Sequence, residues 1–341
     1  TDGLKPPKNG KPWRLGLSSF GVLDNLTCVP CERRAPEPGE VEIAVSHAAL
    51  NFKDVMFALG LLQDYTGISD GRQQTFGLEC AGQVLAVGEG VSQFSVGQRV
   101  MASAPGALTS HLTLHESGVA AVPANVDMAT AASVQTVFLT ALHGLLGCAR
   151  LQPGQRVLIH AAAGGVGQAA ISVARRAGAE IFATASPGKW PLLRRQGVAH
   201  VFSSRDTQFA AAVHALTDGR GVDVVLNSLA GEIIEASLNV LCQGGHFVDI
   251  GKVDSWPAER MASARPDVHT HAFDMAEVLD ADPALLRSLL DALCAGLADG
   301  SLTPPPLRVF PFADGVEALR LLASARTVGK LVLALPAAAT G

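Results

Sequence analysis

A glycine-rich turn between an apolar run and a helix-like segment is the first stretch of this sequence that could do chemistry. Val157–Ile159 is apolar and β-prone, residues 161–167 are small and include three glycines, and apolar residues recur at helical spacing from Gln168. In this context glycines let backbone approach a pyrophosphate, and the helix N-terminus directs N–H groups towards it. Ala162 stands where the strict pattern has its first glycine. We assign to this phosphate site Gly164, Gly165, Val166 and Gly167.

The segment after the second strand of such a fold selects the nucleotide, because it contacts the adenosine ribose. That strand is predicted at Ile181–Thr184, and residues 185–189 contain no acid that could accept from a ribose 2′-hydroxyl. Ser186, Lys189 and, just past the third strand, Arg205 offer a hydroxyl and two positive charges. Lys189 alone could be a solvated lysine, but the helix dipole disfavours a cation at a helix start unless an anion lies there. The pattern therefore predicts NADPH.

Charged and polar residues follow the later strands of the same predicted sheet. Lys252 and Asp274 come just after the fifth and sixth strands, and ligands of such sheets bind outside the carboxyl ends of the strands. An ammonium beside a carboxylate is a plausible proton donor with its orienting partner, and a surface salt bridge is the alternative. We assign to cofactor binding Asn227, Ser228, Ile250 and, in an earlier helix-prone run, Thr140.

Alternating strands and helices from about residue 150 must position these groups. The predicted strands are 157–160, 181–184, 201–203, 222–227, 246–250 and 268–273. Helices are predicted near 167–177, 188–196, 207–217 and 232–241, after a helix-prone run over 127–146. Six strands with helical crossovers indicate an α/β, doubly wound parallel sheet, which is the Rossmann arrangement.

The regions before and after the predicted parallel sheet have a different pattern of secondary structure. Residues 13–125 are mostly β, with short strands, glycine turns and one short helix over 51–60, which suggests a barrel-like domain. Strands predicted at Val309–Phe312 and Lys330–Ala334 have no partner in a completed six-stranded sheet, so we expect them to return to the first domain. The predicted domains are 1–126 for substrate, 127–271 for NADPH and 272–341 for the return of the substrate domain.

Composition excludes several classes of function. With 48% hydrophobic and 17% charged residues and a net charge of −5, the sequence is typical of a globular protein that does not bind nucleic acid or an anionic membrane. It contains no transmembrane run and no signal peptide. Only Cys28 and Cys31 are closely spaced, so no structural zinc site is expected, and reduced thiols suit the cytoplasm. Both ends resemble linkers, so we expect a domain of a longer polypeptide.

Seven short motifs, in order along the chain, carry a family resemblance. They are Asn51–Met56, Gly77–Gly82, Ala161–Gly167, Ala185–Lys189, Ser203–Asp206, Leu226–Leu229 and Ile250–Lys252. Together they resemble the enoyl reductase domain of multifunctional polyketide and fatty acid synthases, in the zinc-free branch of the medium-chain reductases. The resemblance extends from about Trp13 to Leu335.

The resemblance implies a Rossmann domain inserted in a GroES-like β-barrel substrate domain. It implies NADPH as cofactor, and it matches Lys252 and Asp274 to the proton-donor pair proposed for the family. It places Asn51, Phe52 and Leu62 in the substrate pocket. Zinc relatives carry a histidine in a Gly-His-Glu segment, but residues 77–79 here read Gly-Leu-Glu, so no metal is expected.

One position departs from the family pattern. Some relatives carry a tyrosine, proposed to protonate Cα, where this sequence has Leu62. The single tyrosine of the chain, Tyr65, lies three residues further on, and we leave it out of the site. If protonation of Cα sets a stereocentre, we expect a group other than a tyrosine to supply the proton.

The expected reaction is the NADPH-dependent reduction of a trans-2-enoyl thioester. The partners implied are an acyl carrier protein, which tethers the chain through phosphopantetheine, and neighbouring domains of the same polypeptide. Two alternatives remain open at this point. One is a free-standing quinone or alkenal reductase of the same superfamily, and the other is a nucleotide-binding scaffold without catalysis.

Overall fold

A computed structural model of the chain describes residues 3–7, 10–251 and 255–338. The strands are β1 (Trp13–Leu17), β2 (Leu26–Pro30), β3 (Glu40–Leu50), β4 (Glu79–Val87), β5 (Arg99–Ser103), β6 (His111–His115), β7 (Val119–Ala121), β8 (Arg156–Ile159), β9 (Glu180–Ala185), β10 (His200–Ser203), β11 (Val222–Asn227), β12 (Leu241–Asp249), β13 (His269–Ala272), β14 (Leu307–Pro311) and β15 (Lys330–Ala334).

The helices alternate with these strands mainly in the middle of the chain. They are α1 (Phe52–Ala58), α2 (Gln63–Thr66), α3 (Met128–Ala131), α4 (Gln135–Ala141), α5 (Gly165–Arg176), α6 (Trp190–Arg195), α7 (Phe209–Leu216), α8 (Glu232–Asn239), α9 (Ala258–Ala264), α10 (Met275–Ala281), α11 (Pro283–Ala298) and α12 (Gly315–Ala323). No helix in the described part of the chain has both the length and the apolar character needed to cross a membrane.

The chain divides into two compact units. The first comprises residues 1–136, 283–299 and 306–341, and the second comprises 137–282 and 300–305. The second unit is therefore inserted into the sequence of the first.

The second unit is built on a six-stranded parallel sheet. Its strand order is β10-β9-β8-β11-β12-β13, so the chain starts in the middle and winds outwards in both directions. The predicted doubly wound sheet is thus confirmed. Large apolar side chains from β8, β9 and β12, among them Leu158, Phe182 and Phe247, are fully buried in its core. Parallel strands that are covered on both faces consist of nearly continuous apolar residues, and these strands could therefore be predicted from the sequence.

One strand boundary differs from the prediction. We expected a helix to residue 241 and a strand from 246, but α8 ends at Asn239 and β12 already begins at Leu241. Leu241 pairs with Val222, and the register then shifts before His246 pairs with Val224. Gly244 lies between these two paired positions of β12, and its φ of 72° favours glycine.

The first unit contains a seven-stranded sheet in the order β14-β15-β3-β4-β5-β7, and β6 also pairs with β3. β15 runs antiparallel to β3, with Leu331 opposite Leu50, and β14 lies at the edge beside β15. The two C-terminal strands therefore return to the N-terminal domain, as predicted from their lack of partners in the parallel sheet.

The helix-prone run over 127–146 is helical, but in separate segments. Asp127 caps the short helix α3 by accepting from the Thr130 N–H, the helix breaks after Ala131, and α4 leads into a π-helical segment over Leu142–Cys148. Gly144 lies in this segment, where an added Cβ would be 3.1 Å from Val248 and 3.5 Å from Phe273. The wider turn thus coincides with a close packing contact that apolar periodicity does not reveal.

Candidate active site

The N-terminus of α5 in the second unit lies at the predicted phosphate site. Gly164 is the N-cap residue, and the N–H groups of the first turn have no acceptors within the helix. A Cβ on Gly167 would lie 2.5 Å from both Ala161 O and Ala162 Cα, so only glycine lets the helix pack this closely on the loop. Gly164, Gly165 and Val166 are partly exposed. The donor set fits a pyrophosphate, which is held by backbone N–H groups and the helix dipole.

A strained residue and a buried histidine hold the loop before this helix. Ala161 has a φ of 48°, a left-handed conformation that is uncommon for alanine. His160 is buried, with Nδ1 2.8 Å from Thr184 Oγ1 and Nε2 2.7 Å from Ser237 Oγ. Because the Ser237 hydroxyl donates to Ile233 O at 2.6 Å, His160 Nε2 must be the donor and Nδ1 the acceptor. Burial lowers the pKa of His160 to about 3, so the ring is neutral.

The groups assigned to NADP selection lie at the ends of two paired strands. Ser203 of β10 lies opposite Ala185 of β9, so Arg205 and Ser186 follow neighbouring strand ends. Lys189 ends a 3-10 turn over Pro187–Lys189, and burial lowers the pKa of its ammonium. Arg205 is exposed. Two cations and a hydroxyl at one edge of the sheet form a suitable donor set for a 2′-phosphate.

A buried carboxylate that the sequence analysis did not single out organises the next strand ends. Asp249 Oδ1 accepts from Asn227 Nδ2 at 3.1 Å and from the Gly251 N–H at 3.0 Å. Asn227 Nδ2 also donates to Leu229 O at 2.8 Å. The Asn227 side chain therefore shapes the loops, while Ser228 beside it is exposed. The signal was available, since an acid ending an apolar parallel strand is unusual.

The remaining residues predicted to bind the cofactor lie on separate elements of the described chain. Ile250 follows β12 and is half-buried, and its N–H donates to Asn227 O at 2.9 Å. Thr140 is buried on α4.

Of the predicted proton-donor pair, only Asp274 can be described. Lys252 lies outside the described residues. Asp274 is the N-cap of α10, and its Oδ1 accepts from the Ala276 N–H at 2.9 Å. The strands before the two residues are neighbours, with Asp249 opposite Ala272. The N-cap bond gives Asp274 a structural task that was not predicted, and it holds the carboxylate at the strand end.

The predicted substrate-pocket residues belong to the first unit. Asn51 is the N-cap of α1 and forms a capping box with Asp54: the Asn51 N–H donates to Asp54 Oδ2 at 2.9 Å. Phe52, the first residue of α1, is 54% exposed, which is unusual for a large aromatic side chain. Leu62 precedes α2 and is half-buried.

A buried ion pair that the sequence did not reveal contacts Asn51, one of these predicted residues. Lys330 Nζ lies 2.8 Å from Glu79 Oε1, with side-chain exposures of 4% and 0%. Lys330 also donates to Asn51 Oδ1 at 2.7 Å, and Asn51 Nδ2 donates to Glu79 Oε1 at 3.1 Å. The second oxygen of Glu79 accepts from the Thr136 N–H at 2.9 Å.

Asp54 adds a second buried carboxylate to this cluster. Its Oδ1 accepts from the Gly77 N–H at 2.7 Å, and burial is the main cause that raises its pKa to about 6. The Gly77 and Asn51 N–H groups and Lys330 act in the opposite direction, while Glu79 adds to the rise. One ammonium thus lies among two buried carboxyl groups, and the raised pKa of Asp54 brings its titration towards neutral pH.

The described residues do not fit a metal centre. Among them, no three or more His, Cys, Asp or Glu side chains are grouped so as to hold a metal ion. Glu79, in the segment where zinc relatives bind metal, is already occupied by an ammonium, an amide and a backbone N–H.

Two family models match the chain. The model described as the alcohol dehydrogenase GroES-like domain matches residues 37–124, and the model described as zinc-binding dehydrogenase matches residues 196–333. The first match lies in the unit with the seven-stranded sheet, and the second extends from the parallel sheet to β15. Both belong to the medium-chain reductase fold.

Individual relatives cover almost the whole chain. The spectinabilin polyketide synthase system protein NorB of Streptomyces orinoci is 43% identical over 98% of this chain, which spans 15% of that protein. The crystal structure of the CurK enoyl reductase has 46% identity and a TM-score of 0.93, covering 96% of this chain and 100% of that one. The CurF ER cyclopropanase from the curacin A biosynthetic pathway has 42% identity and a TM-score of 0.91 over the same shares.

Proposed function

This chain belongs to the enoyl reductase domains of polyketide synthases, and we propose that it reduces a trans-2-enoyl thioester to the saturated thioester with NADPH. The observation that carries the proposal is the anion site at α5, combined with 46% identity to the CurK enoyl reductase over the whole length of that chain. We further propose that the substrate is tethered to an acyl carrier protein, since NorB is a component of a polyketide synthase system.

The second unit would hold the cofactor. The first-turn N–H groups of α5 bind the pyrophosphate, and Ser186, Lys189 and Arg205 bind the 2′-phosphate that distinguishes NADPH from NADH. When bound, NADPH supplies the hydride that the substrate Cβ receives. Asn227 and Asp249 keep the loops after β11 and β12 in place, with Ser228 and Ile250 beside the cofactor.

Reduction at Cβ leaves negative charge on the thioester oxygen, and Cα must then take a proton. We propose Lys252 as the proton source and Asp274 as the carboxylate that keeps it charged and oriented. In support, Lys252 and Asp274 follow neighbouring strands, and the Ala276 N–H holds the Asp274 carboxylate. A general acid typically contributes about 10²–10⁴-fold to the rate, and water can replace part of that.

The experiment follows NADPH absorbance with trans-2-butenoyl pantetheine, with NADH and a quinone as parallel arms. We expect turnover with NADPH and the thioester, and a product heavier by two hydrogens. Oxidation with the quinone alone would favour a quinone reductase. Tight NADPH binding without turnover would favour a non-catalytic scaffold. A cyclic product from a suitably substituted chain would point to the ring-forming activity named for CurF.

A further inference from the structure

The buried ion pair between Lys330 and Glu79 has no task in the reaction as proposed so far. It joins the start of β15 to the start of β4, and the two residues are 251 positions apart in the sequence. A buried ion pair is weak evidence for stability, because desolvation of both charges offsets their attraction. Its contacts suggest a different role.

The pair fixes the orientation of one amide. Asn51 Oδ1 accepts from the Lys330 ammonium, and Asn51 Nδ2 donates to Glu79 Oε1. An ammonium can only donate hydrogen bonds and a carboxylate can only accept them. If the Asn51 amide were flipped, its NH₂ group would face the Lys330 ammonium and its oxygen would face the Glu79 carboxylate, and both hydrogen bonds would be lost. The Asn51 side chain is therefore held in one flip state by two opposite charges.

This arrangement leaves one N–H of the Asn51 amide as a hydrogen-bond donor with a fixed orientation. The Asn51 amide nitrogen carries two hydrogens, and Glu79 takes one. Asn51 is half-buried and directly precedes the exposed Phe52 at the start of α1. The capping box with Asp54 holds the backbone at the same residue, so neither backbone nor side chain is free to turn.

We propose that the second Nδ2 hydrogen of Asn51 donates to the thioester carbonyl oxygen of the substrate, and that Lys330 and Glu79 are positioning residues for this donor. The inference rests on the proposed enoyl reduction, in which that oxygen becomes negatively charged. A donor that is already oriented needs no rearrangement when the charge develops. Loss of one such donor typically lowers kcat by about 10²–10³-fold.

The test is a double-mutant cycle on kcat with trans-2-butenoyl pantetheine and saturating NADPH. Asn51→Ala removes the donor. Lys330→Met combined with Glu79→Gln removes both charges and keeps an acceptor for the Thr136 N–H. We expect Asn51→Ala to lower kcat by about 100-fold, and the Lys330→Met, Glu79→Gln variant to do the same, with the KM for NADPH unchanged in both. The variant that carries all three substitutions should have a kcat within about threefold of that of Asn51→Ala. Losses that multiply would overturn the positioning role.

Two controls separate orientation from stability. Lys330→Arg keeps a cation at this place and should retain kcat within about tenfold of the wild type. Arg33→Met breaks another ion pair of the first unit, in which Nε of the exposed Arg33 lies 2.7 Å from Oε1 of the buried Glu42. This variant should lose stability while keeping kcat. If Arg33→Met lowers kcat as much as the Lys330→Met, Glu79→Gln variant does, general destabilisation is the cause of both losses in kcat.

A spectroscopic arm does not depend on turnover. With NADP⁺ in place of NADPH, the infrared carbonyl stretch of bound ¹³C=O-labelled butenoyl pantetheine should lie at lower frequency than in solution. The shift should disappear in Asn51→Ala, and an unchanged shift would overturn the inference. If the wild type turns over and the variants keep its kcat, this inference alone is overturned. If the wild type does not turn over, the proposed function is overturned and this inference with it.

Discussion

Replacement of Gly167 by alanine tests whether the packing of α5 on its loop creates the cofactor site. The new Cβ would lie 2.5 Å from Ala161 O, 2.5 Å from Ala162 Cα and 2.7 Å from Ala162 C, where ordinary contact begins at 3.4 Å. All three atoms are backbone, so the start of α5 must move by roughly 1 Å. Overpacking of this kind costs about 1–3 kcal/mol of folding free energy.

The same movement should weaken NADPH binding. Hydrogen bonds of about 2.9 Å from the first turn of α5 to the pyrophosphate would lengthen beyond useful distance. Each bond to a charged group contributes about 1.5–3 kcal/mol, so loss of one weakens binding about 10–100-fold. The assay is NADPH titration by fluorescence or calorimetry, together with urea unfolding.

Gly219→Ala is the matched control for this prediction. Gly219 has a φ of 78° and no atom within 4 Å of an added Cβ, and it lies before β11, at the amino end of that strand. Alanine there should cost about 1 kcal/mol through backbone strain without moving α5. NADPH affinity should stay at the wild-type value. A Gly167→Ala variant that binds NADPH as tightly as the wild type would show that this packing does not create the cofactor site.

Three further predictions concern charge and protonation. Lys189→Ala should weaken NADPH binding about tenfold and leave NADH unaffected; equal losses for both nucleotides, in parallel titrations, would remove Lys189 from the 2′-phosphate site. The pKa of Asp54 is raised to about 6 in the folded chain, so its contribution to stability is greatest below the unfolded pKa of 3.8 and is lost as the pH rises through 6. Relative to Asp54→Asn, the wild type should therefore lose up to about 3 kcal/mol of unfolding free energy between pH 4 and 8, measured by urea titration; a constant difference would contradict it. The pKa of His160 is lowered to about 3, so its contribution is present above pH 6.5 and is lost as the pH falls towards 3. Unfolding free energy of His160→Asn should consequently depend less on pH between 6.5 and 4.5 than that of the wild type, and identical slopes would count against a neutral buried ring.

Much of the second unit could be predicted because its determinants are local. Parallel strands appear as continuous apolar runs, and a glycine loop between strand and helix is contiguous in sequence. The return of β15 to the first unit followed from the number of strands alone. The capping box at α1 was also visible in principle, since Asn51 and Asp54 stand three residues apart.

The polar clusters could not be predicted because their members are distant in sequence. Lys330 contacts Asn51 across 279 positions, and nothing at either place distinguishes a buried ammonium from a surface lysine. Burial of Asp249 behind Asn227 depends on the register of β11 and β12. The π-helical segment at the end of the helix-prone run coincides with close packing at Gly144, which apolar periodicity does not record.

Isotope transfer tests directly whether this chain reduces an enoyl thioester by hydride transfer. Trans-2-butenoyl pantetheine would be reduced with NADPH that carries deuterium at both C4 positions of the nicotinamide, in ordinary water, and the product examined by NMR and mass spectrometry. We expect one deuterium at Cβ and one solvent proton at Cα. A product without deuterium, or with deuterium at Cα, would contradict it.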